Sequence, residues 1–515
     1  KEFNRIHNIE LTFLQNAEKN QYWETKAMTS NFSPSDILGH HRLQAGTVPL
    51  NESKDTYRTG DALMGRVFYS FENKYMLTAS VRRDGYSAFG QMNPRATFPA
   101  VALGWVFTSE KFMESTADWL NYGKLRLSWG ENGNRDIEQY QALAEMNSGA
   151  HPYIDVNGNL YISSQLYVNR MANKALKWER TAAYNCGLDF SLFNDILSGS
   201  VEAYLMETND LLVDRSLPTI LGFSSVAANL GKLENKGFEI NLNANVIKNE
   251  NFEWSASGNF ALNRRKIKSL YGDMIDVMDD NGTVIGQKEA DDTKNKWFIG
   301  QDPDRIWDYE YLGIWQLGEE EEAAKYGLQP GDFKYKDQND DGVMTDDDKI
   351  FQKYRTPRFT WSLRNEFVFY KDFSVSFMMY SHWGVYNKFN RATNSENFPD
   401  RCSEYVQPRW TADNPINDYA RIGSKRTTDI WWNKSFIRLD NITLSYNVPK
   451  SIVNKLKIQN MRLSLGVKNV AVFAPDWNFW DPEQVRYYKD ANGDDNRHRV
   501  DPTPRTYNFS INFTI

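Results

Sequence analysis

Alternation with a period of two runs through most of this chain, in segments of roughly ten residues, the length a tilted strand needs to cross a bilayer. The last segment shows it most cleanly. Between Arg505 and Ile515, Tyr507, Phe509, Ile511, Phe513 and Ile515 fall on one face, and Thr506, Asn508, Ser510, Asn512 and Thr514 fall on the other. One face is apolar and the other polar without charge, which suits lipid on one side and a wet lumen on the other. The same pattern predicts hairpins. Val67, Tyr69 and Phe71 lead through a turn at Glu72-Asn73-Lys74 into Tyr75, Leu77, Ala79 and Val81. Phe238 to Val246 and Phe252 to Leu262 flank a turn at 248–251, and Trp361 to Phe369 and Phe373 to Met379 flank one at Lys371-Asp372. Further strands are expected at 101–107, 125–129, 184–190, 201–205, 442–448 and 461–467. About 12 to 15 strands result, joined alternately by short turns and by long polar stretches at 131–180, 207–235, 264–358 and 384–435, as in an outer-membrane barrel. A soluble β-sandwich or propeller with decorated loops is the competing reading. Within the third stretch, residues 319–326 predict a short helix with an acidic first turn.

Composition decides between the membrane solutions. No apolar run approaches the 18 or so residues of a spanning helix, so a helical membrane protein is excluded. A closed barrel is not, because its lipid-facing residues alternate with polar lumen residues. Aromatics make up 14% of the chain, enough to furnish interface girdles. The net charge is -7, from 60 Lys+Arg against 67 Asp+Glu, so no basic field exists to hold nucleic acid. The two cysteines, Cys186 and Cys402, make neither a disulfide framework nor a zinc site. At the start, Ile9, Leu11 and Phe13 already alternate with Glu10 and Thr12, and Lys1-Glu2-Phe3-Asn4 carries no initiator Met or signal segment. The chain is expected to enter within a strand, its true N-terminus lying upstream.

The strongest local motif is Asp337-Gln338-Asn339-Asp340-Asp341-Gly342, continued to Asp348. It has the spacing of an EF-hand loop: side chains of Asp337, Asn339 and Asp341, Gly342 at the sharp turn, the Val343 carbonyl, and Asp348 at the twelfth position. The ion this implies is Ca2+, and its role would be loop rigidity. Asp348 reaches less far than the usual Glu, and a solvated acidic turn is the opposing reading. The stretch 490–495 reads as a turn around Asn492-Gly493. No HExxH, GxSxG, Walker or GxGxxG signature occurs, so no enzyme is expected. His40-His41 reads as a solvated pair, and Asp302 with Asp304 as a chance pairing rather than the acid and base of a glycosidase. Trp297, Trp307, Trp315, Trp383, Trp410, Trp431, Trp432, Trp477 and Trp480 suit girdles and loop packing, or stacking on sugars and peptides. Of these, Trp383, Trp431 and Trp432 are the substrate-binding candidates, since they lie at or within long polar stretches.

Ser80-Val81-Arg82-Arg83-Asp84-Gly85-Tyr86-Ser87-Ala88-Phe89-Gly90 resembles the SusC-like family of TonB-dependent outer-membrane transporters. Matches follow in the family's order at Phe98 to Trp105, at Leu125-Arg126-Leu127-Ser128-Trp129-Gly130-Glu131-Asn132-Gly133-Asn134, at the acidic loop, and at Pro504 to Phe509. Ile515 departs from the aromatic usual at the end. The resemblance covers nearly the whole chain. It implies an all-β, antiparallel transmembrane barrel of 22 strands with an N-terminal plug, of which residues 1–515 supply the C-terminal part and its long extracellular loops. The plug, the segment that contacts TonB and the first strands would lie outside this chain, since an open barrel leaves unpaired backbone edges in lipid. The family further implies import of an oligosaccharide or peptide across the outer membrane of a Gram-negative bacterium, with a SusD-like surface lipoprotein as lid. The alternative is a secreted or surface carbohydrate-binding β-protein, or glycosidase, with a calcium-stabilised loop; outward lipid-facing Tyr507, Phe509, Ile511 and Phe513 would rule it out.

Overall fold

The computed structural model describes every residue except 1, 4–5, 33–41, 224, 280, 389–407, 425–429, 480, 484–502 and 515. The expectations at His40-His41, Cys402, Trp480, 490–495 and Ile515 lie outside the described residues. The strands are β1 (Glu2–Phe3), β2 (His7–Phe32), β3 (Gly46–Phe71), β4 (Tyr75–Tyr86), β5 (Arg95–Trp105), β6 (Leu120–Asn134), β7 (Glu145–Ile154), β8 (Leu160–Arg170) and β9 (Glu179–Leu192). Next come β10 (Leu197–Asn209), β11 (Leu212–Ser216), β12 (Ser225–Asn229), β13 (Lys232–Lys248), β14 (Phe252–Ser269), β15 (Met274–Met278), β16 (Val284–Glu289), β17 (Arg305–Tyr309) and β18 (Tyr311–Ile314). The remainder are β19 (Phe333–Tyr335), β20 (Lys349–Tyr354), β21 (Phe359–Phe369), β22 (Phe373–Trp383), β23 (Tyr386–Asn387), β24 (Trp432–Asn433), β25 (Phe436–Asn447), β26 (Asn460–Phe473) and β27 (Thr506–Thr514).

One antiparallel sheet of 15 strands runs in the order β1-β2-β3-β4-β5-β6-β9-β10-β13-β14-β21-β22-β25-β26-β27. The other strands pair among themselves in the long connections, so those stretches are not structureless loops. Each is a hairpin or small ribbon, and most of their strands are only two to six residues long, too short for period-two patterning to mark; β18 and β19 pack Ile314 and Phe333 into a buried cluster with Trp410. The short turns all lie on the opposite edge. Two of them place successive residues in the left-handed conformation, Glu72 and Asn73 with φ of 54° and 52°, and Tyr370 and Lys371 with 50° and 65°. That twist matches the twist of the flanking strands. α1 (Glu320–Lys325) forms where expected, with three glutamates in its first turn. α2 (Lys450–Val453) occupies a connection in which no helix was foreseen.

Register carries one largely apolar face across the sheet, interrupted at Asn365, which stands opposite Phe377 and accepts from Trp254 Nε1 at 3.0 Å. Phe377 is opposite Ile442, Ile442 opposite Val467, and Val467 opposite Tyr507. Further along the sheet, Leu77 is opposite Leu103, Leu103 opposite Leu127, and Leu127 opposite Cys186. The face has an aromatic girdle at each end. Near the short turns Phe373 stacks on Tyr446 at 4.5 Å, and at the far end Phe359 stacks on Trp383 at 6.3 Å. The other face carries Ser376, Thr443, Gly466 and Asn508 in the matching row. Tyr507, Phe509 and Phe513 are 73%, 62% and 56% exposed on the apolar side, a face that water would not tolerate at this extent. β2 and β3 are 26 residues each, yet only Gly60–Phe71 of β3 pairs with β4. The rest is a two-stranded ribbon projecting beyond the mouth.

Candidate functional site

The inward face carries a fixed charge cluster. Arg126 of β6 donates from Nε and Nη2 to the two carboxylate oxygens of Asp189 in β9, both at 2.8 Å, and from Nη2 to Glu202 Oε1 in β10 at 2.7 Å. Glu202 Oε2 accepts from Asn185 at 3.2 Å. A Cβ at Gly187, which stands opposite Arg126, would lie 2.9 Å from the guanidinium, so glycine makes room for the fork. The partners are 63 and 76 residues from Arg126, and only sheet register unites them. Bidentate Arg–carboxylate geometry fixes this part of the wall firmly.

At the mouth, the motif segments pack on each other. Tyr86, Ala88, Phe89, Ala96, Phe98 and Trp178 form one apolar cluster, with Phe89 stacked 4.7 Å from Trp178. Gly90 donates its N–H to Leu176 O at 3.0 Å, and a Cβ there would strike Lys174 O at 2.1 Å. Gly133 lies under the Phe98 ring, again with no room for a side chain. These glycines are therefore packing requirements. They bring Arg135, next after the 125–134 motif, to Glu18 Oε1 at 2.7 Å.

In the acidic loop, Gly342 has φ of 79° and donates its N–H to Asp337 Oδ2 at 2.8 Å. Asp348 is fully buried, and its oxygens accept from Gln338 N at 2.9 Å and Thr345 N at 2.7 Å. Asp341 Oδ1 accepts from Val343 N at 2.8 Å and Asn339 Oδ1 from Asp341 N at 3.1 Å. The twelfth-position carboxylate thus closes the loop on backbone amides. Asp337 Oδ1 is buried with no hydrogen-bond partner. Burial pushes the Asp337 carboxyl up, but the amides led by Gly342 outweigh it and hold it below its ordinary value. Among the described residues no three His, Cys, Asp or Glu side chains converge in a metal-holding arrangement.

The tryptophans divide. Trp383 ends β22 in the outward row, opposite Phe359, and belongs to the girdle rather than to the lumen. Trp431 donates from Nε1 to Asp308 Oδ2 at 2.9 Å and lies 4.9 Å beneath Lys388 Nζ, which itself reaches Asp308 at 2.7 Å. Trp432 sits in β24, edge-on to Phe479 at 5.6 Å, and its buried Nε1 has no acceptor. Trp315, Trp410 and Trp477 are buried. Asp302 is gripped by Arg265 at 3.2 Å and Arg358 at 3.3 Å, and Asp304 by Arg265, so this pair is an ionic tie between loop and strand.

A sheet with one largely apolar face, aromatic girdles at both ends, a charged inner wall and elaborated connections on one edge is the wall of an outer-membrane β-barrel. A family model described as TonB dependent receptor-like, β-barrel, matches residues 11–470, and the chain belongs to that family. TonB-dependent receptor P3 of Formosa agariphila is 30% identical, over 98% of this chain and 50% of that protein. TonB-dependent receptor SusC of Bacteroides thetaiotaomicron is 28% identical, over 89% of this chain and 44% of that protein. Among solved structures, the RagAB peptide transporter superposes with a TM-score of 0.75 at 24% identity, covering 100% of this chain and 54% of that one, a likeness of fold. The chain spans about half the length of these curated relatives. It is an outer-membrane protein of a receptor family.

Proposed function

We propose that the chain forms the C-terminal barrel wall of a TonB-dependent importer that carries oligosaccharides or oligopeptides across the outer membrane beside a SusD-like surface lipoprotein. The observation that carries this is the pairing of a largely apolar outward face with a charged inner wall at Arg126, Asp189 and Glu202. The solved structure titled a peptide transporter supports the peptide class, and the oligosaccharide class is what the resemblance to SusC-like transporters implies. A plug and a TonB contact belong to the remaining length of such proteins, and the hairpins on the mouth edge suit docking of the lipoprotein lid. Trp432, half-buried and edge-on to Phe479, is the remaining aromatic candidate for cargo, through its ring and not its buried indole N–H; Trp431 is committed to Asp308 and Lys388. The soluble glycosidase alternative falls with the outward row of Tyr507, Phe509, Ile511 and Phe513.

The oxygen-only donor set of the acidic loop fits Ca2+, with Asp337, Asn339, Asp341 and the Val343 carbonyl as ligands and the orphaned Asp337 Oδ1 as supporting observation. Asp348 would join by releasing a backbone amide. The ion would stiffen the loop and take no part in transport.

The test is uptake of labelled oligosaccharides and oligopeptides by cells carrying the full-length protein, with and without TonB. Uptake that requires both proteins is expected. Uptake that persists without TonB would falsify the importer reading.

A further inference from the structure

On the inward face at the mouth, Glu18 of β2, Gly60 of β3 and Tyr86 of β4 stand in one register row. Gly60 lacks a side chain, and a recess of about 380 Å3 opens there, lined by Glu18, Arg58, Tyr86, Asn134, Arg135 and Asp136. Arg58, two residues from Gly60, shares its face. Part of the recess neutralises itself. Arg135 donates to Glu18 at 2.7 Å, and its guanidinium lies 5.3 Å from the centre of the Tyr86 ring, closing that face to stacking.

Two charges are left over. Among the described residues Arg58 makes one polar side-chain contact, a long hydrogen bond to the Tyr86 hydroxyl at 3.4 Å. The Asp136 carboxylate has no ion-pair partner among the described residues, and Arg58 and Asp136 do not pair with each other although they line one recess. A cation and an anion held apart in the same recess complement a ligand that carries both signs. An uncharged sugar entering here can hydrogen-bond both groups through its hydroxyls but leaves both charges uncompensated, and it finds no open aromatic face.

We propose that this recess binds a short zwitterionic peptide, its carboxylate on Arg58 and its ammonium on Asp136. The proposal rests on the importer reading and narrows its cargo to peptides. The site is open to water, so each charged contact is worth roughly a tenfold change in affinity rather than more.

The experiment is calorimetric titration of the full-length protein with trialanine, N-acetyl-trialanine, trialanine amide and maltotriose. Trialanine should bind, and acetylation or amidation should each weaken it roughly tenfold. Arg58→Gln should erase the penalty of amidation, Asp136→Asn that of acetylation, and Arg58→Lys should retain discrimination against the amide. Among the described residues Arg58 has a single long side-chain hydrogen bond, so the variants are expected to fold, which heat-modifiable migration on gels checks. Equal discrimination in Arg58→Gln, or maltotriose binding as tightly as trialanine, overturns the assignment. Loss of TonB-dependence in cells with Arg58-dependent binding intact would remove the importer reading alone.

Discussion

Ile442 and Thr443 are neighbours in β25 that point to opposite sides of the wall, and placing an arginine at each in turn tests which side meets lipid. Ile442 stands between Phe377 and Val467 in the outward row, and Thr443 between Ser376 and Gly466 in the inward one. β22 spans 11 residues from the lower girdle at Phe373 to the upper one at Trp383. That is about 33 Å along the strand and about 24 Å along the membrane normal at a 45° tilt, close to the apolar band of about 25 Å in such barrels. Phe377 lies one residue from the middle of this span, so Ile442 opposite it is near the midplane. An arginine there costs about 2 to 4 kcal/mol, roughly 30- to 1000-fold in the folded-to-unfolded ratio. Thr443→Arg enters a wet lumen, and Gly466 opposite leaves its side chain room; its expected cost is within about 0.5 kcal/mol. Urea unfolding of the full-length protein in lipid vesicles, followed by tryptophan emission, measures both. Equal losses, or a larger loss from Thr443→Arg, would refute the assignment of faces and the barrel wall with it.

Gly90→Ala should put a Cβ against the Lys174 carbonyl and cost about 1 to 3 kcal/mol, seen as faster amide exchange at 173–178; unchanged exchange would mean the close approach is not required. Asp308 is held below the ordinary carboxylate range: burial pushes it up, but the Lys388 hydrogen bond and charge, with the Trp431 N–H, reverse this. Its contribution is therefore fully present above the unfolded carboxyl value of about 3.9 and is lost as pH falls through the lower folded value. Trp431 emission should change across that window in the native protein and not in Asp308→Asn. Asp337→Ala should abolish calcium-dependent protection of the acidic loop in hydrogen exchange while barrel assembly stays intact, and protection that survives the substitution would place any ion elsewhere.

The parts of this fold that could be read from the sequence are those where the two faces of a strand meet different solvents. β27, and the hairpins at Glu72-Asn73-Lys74, at 248–251 and at Lys371-Asp372, fall in this class, because lipid on one side and water on the other force period two onto the residues. Where both faces meet water the signal vanishes. In β2 the alternation of Ile9, Leu11 and Phe13 fades well before Phe32, since the ribbon beyond the mouth has no continuous apolar side to declare, whereas β8 does alternate, at Leu160, Ile162, Leu166 and Val168, inside a stretch read as polar connection. Trp383 failed differently: it borders a polar stretch, but whether it points in or out depends on its register with Phe359, which proximity in sequence does not report.

The same reasoning separates the motifs from the site. Gly90, Gly133, Phe98 and Tyr86 lie in recognisable segments, and the structure uses the first three to pack strands and connections at the mouth. Such local demands leave local signatures, because a glycine under a ring or a carbonyl admits no other residue. Arg58, Glu18 and Asp136 carry no signature at all, and neither does the bond from Arg126 to Glu202 across 76 residues. They are ordinary charged residues on strands whose inward face is water-filled, where almost any polar side chain is tolerated for stability. A wall of this kind can change what its lumen binds by substitutions that leave the fold untouched. Family resemblance therefore locates the barrel, and the paired and unpaired charges of the inner face are what bear on cargo.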